Sequence, residues 1–298
     1  MANAIDGAIH RDKALVLGGG GPVGRAWEAG LVSGLMAQGV ALNSADTIVG
    51  TSAGAIVGAQ LALRLDLTVV APAAPPPPLP PAASNALAEL AKMTSAAWRA
   101  ADPESRRQAI GQLALTAATP SEEQSMARVA IFSGRAWPAG LCVTAVNAQT
   151  GASVFWQQGS GIALDLAIAA SCALPGVWPP ITIGGQRFMD GGIRSMVNAD
   201  LVPGHCAVIV VSCFPLAPPE GLGSESPQPV NSGPISEIEA LRAAGANVDV
   251  IAPGPDLLAL TGGGARMLDP TLVPQAFQIG LQQAIGEASR INAAWMEK

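Results

Sequence analysis

Asp46-Thr47-Ile48-Val49-Gly50-Thr51-Ser52-Ala53-Gly54 is the stretch whose reading decides the fold. Asp46 to Val49 has the character of a short buried strand. It runs directly into G-x-S-x-G (Gly50, Ser52, Gly54), and helical character continues from Ala53 to about Leu65. A serine on so sharp a strand-to-helix turn has its hydroxyl pushed outward at the positive end of a helix dipole. The flanking glycines suit a crowded, strained backbone.

One unit upstream, Lys13 to Leu17 reads as a buried parallel strand, Gly18 to Gly24 as a glycine loop, and Val23 to Gln38 as a helix. The chain therefore opens β-loop-α-β-turn-α, the start of an α/β sheet covered by helices. The loop contains G-x-G-x-x-G (Gly19, Gly21, Gly24), the context of a dinucleotide site. Such a site wants an acidic residue at the end of the second strand. Here Asp46 stands at that strand's start, and the serine turn occupies its end. The same glycines bring backbone N–H groups close to a small anion, as an oxyanion hole requires. A purely structural tight turn is the third reading.

Further along, Ala71 to Ala83 is proline-rich and reads as an extended connection. Helices are expected over 85–100, where Leu87, Leu90, Met93 and Trp98 lie near one face, and over 103–118 behind Asp102 as N-cap. Ser121 to Gln124 looks like another helix start. This block, about 84–135, interrupts the strand rhythm like an inserted cap. Two hairpins follow, 141–146 with 153–156 and 181–183 with 186–189, separated by a helix over 162–173. A strand over 206–214, a surface loop over 215–234, a helix over 235–244, a strand over 247–251 and a C-terminal helix over 275–296 complete the pattern.

Composition narrows the function. The chain has 298 residues, is 49% hydrophobic and only 13% charged, and has a mean hydropathy of +0.36. Its long uncharged stretches are broken by proline or polar residues, so no membrane-spanning segment is expected. The first residues lack a basic n-region and an apolar core, so the expected location is the cytoplasm, with at most peripheral contact to a membrane surface. A net charge of -6 and the lack of any basic run argue against nucleic acid as a partner. Four cysteines without C-x-x-C spacing imply no metal site and read as small buried residues. No cofactor is expected, and nothing in the sequence fixes the oligomeric state.

If Ser52 is a nucleophile it needs a base, and only two histidines exist. His10 precedes the first strand. His205 directly precedes a strand, which places it at the edge of the sheet opposite the serine. The other candidate is Asp190, which ends an apolar strand-like run and is followed by Gly191 and Gly192.

Four ordered segments carry a resemblance: Gly18 to Gly24, Gly50 to Gly54, Ala169-Ala170-Ser171-Cys172-Ala173-Leu174-Pro175-Gly176-Val177-Trp178-Pro179, and Asp190-Gly191-Gly192. Together they resemble the patatin-like phospholipase family. The resemblance implies an α/β fold with a mostly parallel central sheet between helical layers, in one domain over 1–298 with a helical, Pro-rich insertion at about 66–135. It implies a serine acyl-ester hydrolase acting on lipid acyl esters, with Ser52 as nucleophile and Asp190 as its only base. The oxyanion hole would comprise Gly19, Gly20, Gly21 and Ala53, with Gly24, Gly50, Gly54, Gly191 and Gly192 in support. Burial beside Phe188, Met189 and Trp178 is expected to raise the Asp190 pKa. The family loop carries Arg or Lys just before its last glycine, where this chain has Val23; Arg25 is nearby but is expected to point elsewhere. The apolar face at Leu87, Leu90, Met93 and Trp98 is either an acyl channel or ordinary core. A dinucleotide-binding protein and a catalytically silent member of the fold are the competing readings.

Overall fold

Alternation along the parallel strands sets up the layers. In β1 (Lys13–Leu17), Leu15 and Leu17 face one core while Ala14 and Val16 face another; in β7 (Ala207–Val211), Ile209 and Val211 divide from Val208 and Val210 in the same way. Strands apolar on both faces must be covered on both faces. The computed structural model describes residues 12–68, 102–216 and 232–296. The expected proline-rich connection, the helix over 85–100 with Leu87, Leu90, Met93 and Trp98, and His10 lie outside them.

Within these residues the first core is closed by α1 (Gly21–Ala37), α2 (Ala53–Ala62), α5 (Leu164–Ser171) and α8 (Val273–Met296). The second is closed by α6 (Ser232–Ala243), through Ile238 and Leu241, and by the segment around Val197 to Val202. The result is a three-layer α/β/α arrangement. No helix among the described residues is long and apolar enough to cross a membrane.

The strands run in the order β5-β6-β3-β2-β1-β7-β8, with β4 paired to β3. Five neighbours are parallel: β3 (Leu141–Asn147), β2 (Thr47–Gly50), β1, β7 and β8 (Asn247–Ile251). The chain steps outward from β1 through β2 to β3, then returns to the other side of β1 as β7. Loops after the strands at such a reversal form a crevice at the C-terminal edge of the sheet. The glycine loop and the serine turn are two of these loops.

The remaining strands, β4 (Ser153–Trp156), β5 (Ile181–Ile183) and β6 (Gln186–Asp190), form the two expected hairpins. Gly184 and Gly185, both at positive φ, make the tight turn of the second. Register then decides where the site falls. Val143 pairs with Gly50 of β2 and with Trp156 of β4, so β2 and β4 flank opposite edges of β3. Ala145 pairs with Val154 of β4 and with Asp190 of β6, so β6 shares the edge used by β2. Along that edge β2 and β6 meet end to end. Gly50 and Asp190 sit opposite Val143 and Ala145, with Thr144 between.

Several boundaries differ from the sequence expectation. α1 begins at Gly21, inside the expected loop, because Pro22 fits the first helical turn and Gly24 N–H already donates to Gly20 O. α2 stops at Ala62, two residues before Arg64 at φ +55. A short helix, α7 (Pro255–Thr261), was not expected, although Pro255 again supplies a helix start. The helix α3 (Pro103–Thr116) is capped by Asp102, and α4 (Glu122–Ala127) by a capping box at Ser121 and Gln124, as expected. Ile110 and Ala114 of α3 pack with Val146, Ala148 and Met189. This part of the expected cap therefore lies against the β3–β6 end of the sheet.

Candidate active site

Ser52 sits between β2 and α2 at φ 53°, ψ -112°, a conformation that non-glycine residues rarely adopt. Its surroundings hold it there. Thr51 N–H donates to Leu17 O and Gly54 N–H to Gly18 O, both at 3.0 Å, which ties the turn to the end of β1. A side chain at Gly54 would overlap the Leu17 carbonyl, so only glycine permits this approach. Beneath the turn, Thr144 Oγ1 and Asn198 Nδ2 donate to Thr51 Oγ1 at 3.0 and 2.9 Å.

Residues 171–173, at the C-terminal end of α5, form a bracket across the site. Ser52 N–H donates to Ser171 Oγ at 2.9 Å, and Cys172 Sγ donates to Ser52 O at 3.2 Å. Asp190 N–H donates to Ala173 O at 3.0 Å. Three consecutive residues thus fix the backbone of Ser52 and of Asp190 relative to each other. Ser171 and Cys172 were legible in the sequence only as part of a resembling block, and Cys172 as an ordinary buried thiol. Their contribution is a long-range contact with no local signal. Burial pushes the Cys172 thiol up to about 12, so it serves as a neutral donor.

The two strand ends bring the side chains together: Ser52 Oγ donates to Asp190 Oδ2 at 2.8 Å. The other oxygen, Oδ1, accepts the Gly192 N–H at 2.8 Å. Asp190 is 4% exposed, and desolvation pushes its pKa up to about 6. The Gly192 N–H, the Ser52 hydroxyl and the charge of Arg128 limit the rise. Gly191 passes so close to Thr144 that a side chain there would collide with it.

The glycine loop borders the serine: a Cβ built on Gly19 would lie 3.5 Å from that of Ser52. Its N–H groups divide. Gly18 donates to Val211 O at 3.0 Å and Gly19 to Met196 O at 2.8 Å. Gly19 is therefore an anchor of the loop, which corrects its expected place among the oxyanion donors. Among the described residues no acceptor takes the N–H of Gly20, Gly21 or Ala53. Gly20 and Gly21 begin α1 and Ala53 begins α2, so these groups lie at two helix N-termini. Behind the loop Gly24 is packed against Cys213, and Gly50 against the start of α2 at Ala55.

His205 lies at the other end of β2. Its Nε2 is 2.9 Å from Thr47 Oγ1 and its Nδ1 is 3.1 Å from Val202 O. Thr47 and Gly50 are the two ends of the strand, about 10 Å apart at the usual rise. Asp46, the acid a dinucleotide site would need at the far end, accepts the N–H groups of Asp12 and Lys13 at 3.0 Å. Arg25 lies on α1, as the sequence expectation placed it. Its charge acts on Cys172 and Arg128, and desolvation lowers its pKa.

A family model described as patatin-like phospholipase matches residues 15–203, well over half of the chain and all four of these segments. The chain belongs to the patatin-like phospholipase family. Membership assigns it in general terms to the lipid acyl hydrolases. No curated protein matches it. Among solved structures the chain is similar to VipD from Legionella pneumophila, at 13% identity over 94% of this chain and 67% of that one, with a TM-score of 0.43. The family match ends at residue 203, before β7, so β7, β8 and α8 of this patatin-like chain lie beyond the matched residues.

Proposed function

We propose that this patatin-like protein hydrolyses lipid acyl esters with a Ser52–Asp190 dyad, as a phospholipase A, lysophospholipase or lipase-type esterase. The observation that carries the reading is the 2.8 Å hydrogen bond from Ser52 Oγ to a buried carboxylate oxygen. As Oγ attacks the ester carbonyl, Asp190 takes the hydroxyl proton. The N–H groups of Gly20, Gly21 and Ala53 receive the developing oxyanion. Collapse expels the alcohol, which leaves with the proton from Asp190. Asp190 then takes a proton from water as it attacks the acyl-serine, and the acid departs with Ser52 restored.

Two features support a carboxylate doing this without histidine. An aspartate near its ordinary value is a feeble base at neutral pH, whereas one near 6 is still ionised at pH 7 and binds a proton more readily. Preorganised donors contribute about 2.7–4 kcal/mol each to an oxyanion, so the loop matters as much as the base. In this reading one domain carries the chemistry, and the lipid is met from the aqueous side at a membrane surface.

The test is labelling by a fluorophosphonate probe, with short-chain ester hydrolysis measured in parallel. Wild type is expected to label on Ser52, and Ser52→Ala to lose both labelling and hydrolysis by ~10⁴-fold or more while still folded. Hydrolysis persisting in Ser52→Ala, or a wild type that never labels, rejects the dyad.

A further inference from the structure

The chain lacks the cation that the resembling loop carries before its last glycine: Val23 fills that place and is fully buried. Positive charge reaches the site by another route. Arg128 caps the C-terminal end of α4 and is exposed, and its guanidinium lies 3.9 Å from the centroid of the Trp178 ring. Trp178 follows the 171–173 bracket in the same segment, its N–H held by Leu174 O at 2.9 Å. The stack fixes the plane of the guanidinium, leaving its N–H fork free to meet a planar or tetrahedral anion.

Several other arginines are paired with carboxylates: Arg187 with Glu122, Arg194 with Asp200, Arg266 with Asp269, and Arg290 with Asp249 and Glu287. Among the described residues no carboxylate forms an ion pair with Arg128. The acidic side chain its charge acts on is Asp190, whose two oxygens are engaged by Ser52 and Gly192. Arg25 adds a second positive charge, close enough to Arg128 for the two to repel, and the charge of each acts on the same thiol, Cys172. Two cations converge where one carboxylate stands. An anion arriving there relieves their repulsion and has a preorganised partner waiting.

We propose that Arg128, held against Trp178, is the binding site for a phosphate carried by the acyl-ester substrate, with Arg25 reinforcing the field. The proposal rests on the Ser52 reading and adds charge selectivity to it: phosphorylated esters are preferred over neutral esters of the same acyl chain. The bland alternative is a stack that merely steadies α4, worth about 0.5–1 kcal/mol. It predicts no discrimination between substrates.

The experiment compares kcat/KM for a monoacylglycerol phosphate and for the monoacylglycerol of the same chain, in wild type, Arg128→Gln and Arg128→Lys. Fluorophosphonate labelling of wild-type Ser52 is run first, so that a failed dyad is recognised separately. The phosphorylated-to-neutral ratio is expected to fall about tenfold or more in Arg128→Gln, chiefly through KM, and by less in Arg128→Lys, which keeps the charge but loses the fork. Inorganic phosphate tests whether the anion alone suffices: weak competition against the phosphorylated ester in wild type, weaker in Arg128→Gln, supports the site. A ratio unchanged in Arg128→Gln, or both substrates reduced equally, overturns the proposal. So does phosphate that inhibits both proteins alike.

Discussion

The two ends of β2 each carry buried polar groups, and they are built differently. At Thr47, both ring nitrogens of His205 are engaged, by a hydroxyl and a carbonyl. At Gly50, the strand leads to a serine in a strained conformation whose hydroxyl faces a carboxylate shifted to about 6, beside backbone donors that no acceptor among the described residues takes. The first arrangement is saturated and closes the sheet edge. The second keeps capacity in reserve. Polar burial alone therefore does not mark a site. Unfilled capacity beside a perturbed group does.

Asp190→Asn strains this contrast most. Hydrolysis of short acyl esters is expected to fall by about 10³-fold or more, since the base is lost while the shape is kept. Stability should move the other way. The Asp190 pKa is raised from 3.8 to about 6, so the fold favours the protonated form. Well below pH 3.8 the carboxyl is neutral in the folded and unfolded chain alike; above about 6 the fold bears the full cost of a buried charge. Asn removes that cost, and the variant should be more stable at pH 8 by up to about 3 kcal/mol. Thermal melting at pH 8 and pH 4 checks this, because most of the difference should be gone at the lower pH. A variant that is less stable at both would mean that the charge is not a burden.

The pH profile of wild type comes next. With Asp190 as the base, kcat/KM should decline tenfold per unit below about pH 6, roughly 100-fold by pH 4, while circular dichroism shows the fold intact. A profile flat to pH 4 would remove Asp190 from the chemistry. A smaller effect is expected for Ser171→Ala, which withdraws the acceptor from the Ser52 N–H. About tenfold in kcat is expected, with KM little changed, since the nucleophile loses its alignment rather than its substrate. The smallest effect on activity belongs to the opposite end of the strand. His205→Gln should leave kcat/KM within about twofold and lower stability by about 1–3 kcal/mol in denaturant unfolding. Loss of activity there without loss of stability would erase the distinction between the two ends.

What the sequence disclosed follows from the range of the interactions involved. The parallel strands, both hairpins and the helix caps at Asp102 and Ser121 are local patterns, and each was legible from neighbouring residues. So was the serine turn, which needs only Gly50, Ser52 and Gly54 in order. Asp190 emerged by resemblance and by the scarcity of histidine. The end-to-end meeting of β2 and β6 on one edge of β3 was beyond reach, because register is set by pairing far along the chain. The bracket at Ser171 to Ala173 was missed for the same reason. Gly19 was misread because glycine spacing does not show which N–H turns inward to Met196.

One consequence follows from β3 serving both halves of the site. Gly50 and Asp190 are each referenced to it, two residues apart, like two rulers read against one scale. The long stretch between α2 and β3 can lengthen, shorten or be exchanged without altering that reading, provided that β3 enters in register. A lineage could therefore vary that stretch while the spacing of nucleophile and carboxylate stays calibrated. A single residue inserted within β3 between Val143 and Ala145 would uncouple them at once.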